Sequence, residues 1–211
     1  MSGFWARFAR RVTQVGDVTL LENRFLPMLE VNAAYGNQLL EQPILVCAAQ
    51  LNGSQLEGYD LAGTLLTLEL LPASPDSSIW VEQVAWTQAP QLAQVWCDRN
   101  DASDWQALVA RELARSLERD TGLLAYLAYQ GEVATGMMIA SGDGICGLWA
   151  GADDVARALF ARNANDLSRL EVSVPIERRG AFQVGSETAW FEVWLSRLKP
   201  SDAQTKPPSA P

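Results

Sequence analysis

The side chains able to move a proton or hold an ion are few in this chain, and their types decide which chemistry is open. No histidine occurs in the 211 residues, and the only lysines, Lys199 and Lys206, lie near the C-terminal end. A Ser-His-Asp or Cys-His nucleophile is therefore excluded, as is any zinc site that uses histidine. A Schiff-base lysine or a phosphate-loop lysine in the body of the chain is excluded as well. Aspartate, glutamate, tyrosine and cysteine remain. Cys47, Cys97 and Cys146 are far apart and never in C-x-x-C spacing, so they read as buried thiols in a reducing compartment. Glu82 and Glu171, each on an expected strand, are the carboxylates placed by position to act as a base, although strand carboxylates on an outer face ordinarily do no more than meet water. No catalytic residue and no metal ligand is assigned.

Charge narrows the partners. The chain has 16 basic and 25 acidic residues, a formal charge of -9. Nucleic acid and anionic membrane surfaces would be repelled, and no local basic patch offsets this. No run approaches the ~18 apolar residues of a membrane span, and Met1–Arg11 lacks the pattern of a signal peptide. The expectation is a soluble, cytoplasmic protein with no nucleic-acid or membrane partner. With 48% apolar residues it can bury a core in one generous domain or two small ones.

The elements that must position these groups follow from periodicity. Phe4, Phe8 and Val12 lie four apart among arginines, which predicts an N-terminal helix, packed or partner-docking. Strand patterns follow at Val18–Leu21, Ile44–Leu51 and Thr64–Leu71. The Pro/Ser-rich stretch Leu71–Ser78 divides an N-terminal α/β subdomain, residues 1–78, from a domain over 79–198. The first part either extends a central sheet or forms a second, degraded half of the same kind. Residues 199–211 are expected to be a disordered tail.

Beyond the divide, a strand is predicted at Ile79–Trp86 and a short helix at Pro90–Cys97. A capping box at Ser103–Gln106 opens a helix with Trp105, Leu108, Val109, Leu113 and Leu117 on one stripe, ended by Gly122. A hairpin follows, Leu123–Tyr129 and Val133–Ala140 about a turn at Gln130–Gly131. A strand at Ile145–Ala150 leads into a helix from Gly151 to Ser168, with Val155, Leu159, Leu167 and Leu170 inward. Leu170–Val174 is a strand stopped by Pro175, and Phe182–Val184 with Thr188–Leu195 form a last extended pair. Tyr126 and Tyr129 point to opposite faces, Tyr129 at the rim of a turn, and Cys146 points into the core. Trp80, Trp86, Trp149, Trp190 and Trp194 fall on strands, where aromatics pack well; one or two left exposed would mark a partner surface. The expected class is α+β: a mixed, mostly antiparallel central sheet flanked by helices, with an N-terminal α/β extension. Its edge strands or the N-terminal helix offer surfaces for a homodimer or a protein partner.

The run from Leu124 to Gly136 (LAYLAYQGEVATG), followed by Gly144 to Ala152 (GICGLWAGA), resembles the GNAT (N-acetyltransferase) superfamily, and Gly185–Trp194 is similar to its C-terminal strands. The resemblance covers residues 79–196 and rests on order and texture. It implies a GNAT-like sheet with an acetyl-CoA site at the end of the Ile145–Ala150 strand, held by the backbone of Leu148, Trp149, Ala150, Gly151 and Ala152. In that superfamily an R/Q-x-x-G-x-G/A loop then wraps the pyrophosphate at the next helix N-terminus, where glycines permit close approach and the dipole favours an anion.

This sequence departs from that pattern. Gly151-Ala152 runs straight into Asp153-Asp154-Val155-Ala156-Arg157, so two acids stand where phosphates would. Like charges ~5 Å apart repel by about 1 kcal/mol in water and about 3 kcal/mol at an effective dielectric near 20. The superfamily's asparagine and the tyrosine that protonates the leaving thiolate are missing from Pro175–Gly180, and Gly147–Ala150 offers no base. The expectation is a degenerate member that has lost acetyl-CoA-dependent transfer, takes no cofactor and serves as a binding or structural module. One alternative is a functioning N-acetyltransferase acting on a cationic amine, with acetyl-CoA phosphates on Arg157 or on Arg178 and Arg179. The other is an unrelated α+β protein-interaction domain.

Overall fold

The computed structural model describes residues 7–8, 11–15, 18–22, 44–47, 59–70, 78–142, 145–164, 171–175 and 184–196. Among them, ten strands join in one sheet: β1 (Arg11–Val15), β2 (Val18–Glu22), β3 (Ile44–Cys47), β4 (Tyr59–Leu70), β5 (Ile79–Val84), β6 (Leu123–Gln130), β7 (Val133–Ser141), β8 (Ile145–Ala150), β9 (Glu171–Pro175) and β10 (Val184–Ser196). Three longer helices accompany it: α1 (Ala89–Asn100), α2 (Gln106–Arg119) and α3 (Asp153–Ala164). The strand order is β1-β2-β3-β10-β4-β9-β8-β7-β6-β5. Every pairing is antiparallel except β8 with β9, which is parallel. This is the mixed, mostly antiparallel α+β architecture expected, with helices beside the central sheet.

The strands before residue 78 extend that same sheet. They also interleave with its far end, since β10 lies between β3 and β4, and β4 lies between β10 and β9.

The core sits on both faces of the β6–β7 hairpin. On one face Tyr126, Ala128, Met138 and Ala140 meet Val155, Ala156, Leu159 and Phe160 of α3. On the other, Leu123, Ala125, Leu127, Met137 and Ile139 are buried, and α1 and α2 pack against this part of the sheet. The α2 stripe holds as Val109, Leu113 and Leu117, joined by the buried polar residues Glu112 and Ser116. Each fully buried large apolar side chain is worth about 1.5–3 kcal/mol over exposure, so this doubly covered hairpin is the anchor of the fold.

Several expected elements come out differently. Val12 is not on a helix: it is 53% exposed in β1, where Arg11–Val15 pairs residue for residue with Val18–Glu22. β-branched Val12, Thr13 and Val15 suit that hairpin better than a helix. Of the predicted helix, Arg7 and Phe8 are helical and Phe8 is buried, while Phe4 lies outside the described residues. Strand β5 stops at Val84, and Trp86–Gln88 form a 3-10 turn closed by Gln88 N–H to the Ala85 carbonyl (2.9 Å) and Ala85 N–H to Gln88 Oε1 (3.2 Å). Ser103 caps nothing. It opens a second 3-10 turn, Ser103–Trp105, in which the Trp105 amide donates to the Ala102 carbonyl (3.0 Å), so the backbone itself does the capping. Helix α2 ends at Arg119 without a left-handed glycine; Asp120 is extended and its amide donates to the Ser116 carbonyl at 3.0 Å.

The predicted C-terminal pair is one strand, β10, with register irregularities between Val184 and Ala189. It pairs with β4 and β3 instead of folding back on itself, because β4 already occupies its neighbouring position. Trp80 and Trp86 are 62% and 46% exposed, the one or two tryptophans left outside the core that the sequence allowed, and Trp86 lies on the 3-10 turn and not on a strand. Leu167, Leu170, Phe182, the tail 199–211 and the side chains of Cys47, Cys146, Trp149, Trp190 and Trp194 lie outside what is described.

Candidate functional site

The parallel pair β8–β9 begins together and parts early. Its ladder consists of Ile145↔Glu171 and Cys146↔Val172. On its other side β8 stays with β7 to its end, through Ile139↔Leu148, Met138↔Trp149 and Met137↔Ala150. Between Ala140↔Cys146 and Ile139↔Leu148 one residue is extra, Gly147, which makes a β-bulge. A bulge kinks its strand and increases the local twist, and this one falls at the first residue past the β9 ladder. Strand β9 meanwhile follows β4 out to Pro175↔Leu65. The backbone from Gly147 to Ala150 therefore has β7 on one side and, among the described residues, no strand on the other. Main-chain groups with no partner strand among the described residues can accept an extended, amide-bearing chain, and a sheet that opens at the C-terminal end of parallel strands is a common ligand position.

The end of β8 is closely built. Gly151 has a positive φ of 156°, and a Cβ there would lie 3.1 Å from Val155 Cγ1 and 3.5 Å from Gly136 Cα. Only two residues, Gly151 and Ala152, separate β8 from α3. The Ala152 carbonyl takes the first helical bond, from the Ala156 amide at 2.8 Å. Of the three amides ahead of it, that of Val155 donates to Asp154 Oδ1 at 2.8 Å. Asp153 is exposed and Asp154 half-buried.

A pyrophosphate seated at this helix start would need those amides turned outward and would stand beside two carboxylates. Leu148, Trp149, Ala150, Gly151 and Ala152 thus form one run along the open edge and into α3. Arg157 is exposed on α3, and Arg178 and Arg179 lie outside the described residues.

The expected carboxylates are not brought together here. Glu171 is in register with Ile145, at the closed end of the split. Glu82 is on β5, three strands from β8 in the sheet order. There its Oε1 accepts a hydrogen bond from the Tyr129 hydroxyl at 2.9 Å. Burial first, and then the hydrogen bond and charge of Glu82, push Tyr129 above the ordinary tyrosine value, while a hydrogen bond with Gln91 opposes the rise. At neutral pH Tyr129 is a neutral donor. It faces away from Tyr126, as expected: Tyr126 packs under α3, whereas Tyr129 lies against Trp80 with ring centroids 5.5 Å apart. The Tyr129–Glu82 bond was legible only in part, because it depends on the register that sets Glu82 opposite Leu127.

Cys97 is fully buried and pushed up to about 11 by desolvation and the neighbouring Asp98 charge, so it is no nucleophile near pH 7. No group of three or more metal-type side chains occurs among the described residues, and no described helix is long and apolar enough to cross a membrane.

No protein-family model matches this sequence, and no curated protein matches it. Solved structures do match. A GCN5-related N-acetyltransferase from Kribbella flavida shares 12% identity over 92% of this chain and 93% of its own, with a TM-score of 0.49. Another from the same organism shares 18% identity over 65% of this chain and 38% of its own, TM-score 0.44. One from Anabaena variabilis shares 16% over 64% of this chain and 41% of its own, TM-score 0.39. The chain spans about two fifths of the length of these last two. The likeness is one of outline, and nothing about an acceptor or cofactor passes from those proteins to this one.

Proposed function

We propose that this chain is a GNAT-like domain that no longer transfers acetyl groups and works in the cytoplasm as a binding or structural module. The reading rests on the start of α3: a two-residue entry, Asp153 and Asp154 in the first turn, and a Val155 amide already held by Asp154. A micromolar ligand has only about 8 kcal/mol in total, so losing the anion contacts and adding like-charge repulsion removes much of it. Among the described residues Glu82 and Tyr129 offer no substitute at the β8 end, since they are bonded to each other at the far edge of the sheet.

The test is thermal unfolding with millimolar acetyl-CoA. A ligand that binds only the folded state must raise the melting temperature. No rise is expected, and a saturable rise of several degrees would overturn the reading.

One observation favours a second reading, an acetyltransferase with a rearranged site acting on a cationic amine: the open backbone edge from Gly147 to Ala150 could pair with a pantetheine arm without using the helix start. In that case acetyl-CoA stabilises the protein, and Asp153→Asn with Asp154→Asn tightens its binding. Unchanged binding in that double variant would place the phosphates elsewhere.

A further inference from the structure

The opposite edge of the sheet carries a group of side chains that the β8 end does not use. Strand β5 is last in the order, so among the described residues one side of Ile79–Val84 pairs with β6 and the other with nothing. Trp80 stands on it 62% exposed, directly opposite Tyr129 in the register, with the rings tilted by 31° at 5.5 Å. Tyr129 is itself buried and bonded to Glu82, so Trp80 has a fixed support and leaves much of its indole to solvent. Glu82 lies two residues further along the same face. It is half-buried, and among the described residues it has no cationic partner; its hydrogen bond is the one from Tyr129.

A carboxylate partly withdrawn from water can still accept at its second oxygen, and a cation there would find charge and hydrogen-bonding capacity together. Alternate residues on a strand are about 6.5–7 Å apart, so a planar cation stacked on the Trp80 indole also reaches Glu82. Guanidinium suits this better than ammonium, because it stacks on aromatic faces and presents a fork of donors to a carboxylate.

We infer that Trp80, Tyr129 and Glu82 form a docking platform for an arginine side chain of a basic peptide lying along the free edge of β5. The free edge supplies main-chain pairing to an extended segment, whose alternate side chains then fall on the platform with the same period of two. The chain's net charge of -9 favours the approach of such a segment. The platform is three strands from the β8 end, and its occupancy does not depend on whether acetyl-CoA binds there.

The probe is a fluorescein-labelled heptapeptide of alternating valine and arginine, titrated with the full chain at low salt and followed by anisotropy. Two counterparts carry citrulline or lysine in place of arginine. Saturable binding of the arginine peptide is expected, with the neutral citrulline form much weaker and the lysine form weaker. Trp80→Ala and the isosteric Glu82→Gln should each weaken binding by about fivefold or more. Glu118→Gln, exposed on α2, should leave it unchanged. Melting temperatures identify any variant that has lost its fold, and Glu82→Gln keeps the test decisive if Trp80→Ala is such a case. Absence of binding, equal binding of the citrulline or lysine peptide, or the same loss in Glu118→Gln as in Glu82→Gln would each overturn the proposal. The last would mean diffuse attraction to an acidic protein.

Discussion

Cys97 sits in α1 with no measurable exposure, and desolvation together with Asp98 lifts its thiol to about 11. Alkylation at pH 8 followed by peptide mapping should leave the Cys97 peptide unmodified in the native protein and modify it fully in denaturant. Native labelling would show that α1 opens readily. Another local device joins the first described residues to the α2–β6 turn. Arg7 Nη1 bonds both Asp120 oxygens (2.9 and 3.0 Å), and Arg119 donates to the Arg7 carbonyl at 2.8 Å. A Cβ on Gly122 would come within 2.6 Å of Arg7 Nη1, so this glycine makes room for the ion pair. Arg7→Ala and Gly122→Ala should each cost about 1 kcal/mol, the scale of a partly exposed pair, and the double variant should cost little more than either. Additive losses in chemical denaturation would show that Gly122 acts otherwise. Tyr129 makes a pH prediction. Its folded-state value is raised above the unfolded one, so its contribution is complete below about pH 10 and is lost as pH rises through the raised value. Tyr129→Phe should flatten that alkaline decline in stability.

At the scale of elements, the hand-over from β8 to α3 is the most constrained feature. Gly151 combines a positive φ with a Cβ position crowded by Val155 and Gly136. Gly151→Ala should therefore destabilise by about 1–3 kcal/mol in denaturant titrations, and a neutral result would mean that α3 can shift away from β7. Asp154 favours the same helix start by accepting the Val155 amide and by placing a negative charge at the positive end of the dipole. Asp154→Asn keeps an acceptor and loses the charge, so its cost should be small, about 0.5 kcal/mol, and should shrink with added salt. On the proposed function, the carboxylates set against a phosphate at this turn are also the ones that favour the helix start.

Across the whole molecule, the interleaving of β3, β10, β4 and β9 ties the chain's two ends together. A fragment spanning 79–198 would lose β4 and β3, leaving β9 as an open edge and β10 without either partner strand. Such edges are templates for aggregation. The fragment should be poorly soluble or unfolded by circular dichroism, whereas the full chain melts cooperatively. A well-folded fragment would show that the β5–β8 half with its helices suffices.

Much of this was legible from the residues themselves. Strand alternation placed β6, β7 and β8 to within a residue or two, the 3.6-residue stripe Val109–Leu113–Leu117 placed α2, and the absence of histidine removed whole classes of chemistry before any fold was known. These follow from side-chain period and composition, which are local properties. What tertiary structure alone decided was non-local. Val12 went to a hairpin because a partner strand was available, β10 became one strand because β4 lay beside it, and Ser103 capped nothing because a backbone turn had already closed. The split between β8 and β9 coincides with a bulge at Gly147, and the pairing of Tyr129 with Glu82 depends on the register of β5 on β6. Pairing partner and register are set by contacts between distant segments, and a linear pattern of residues does not carry them.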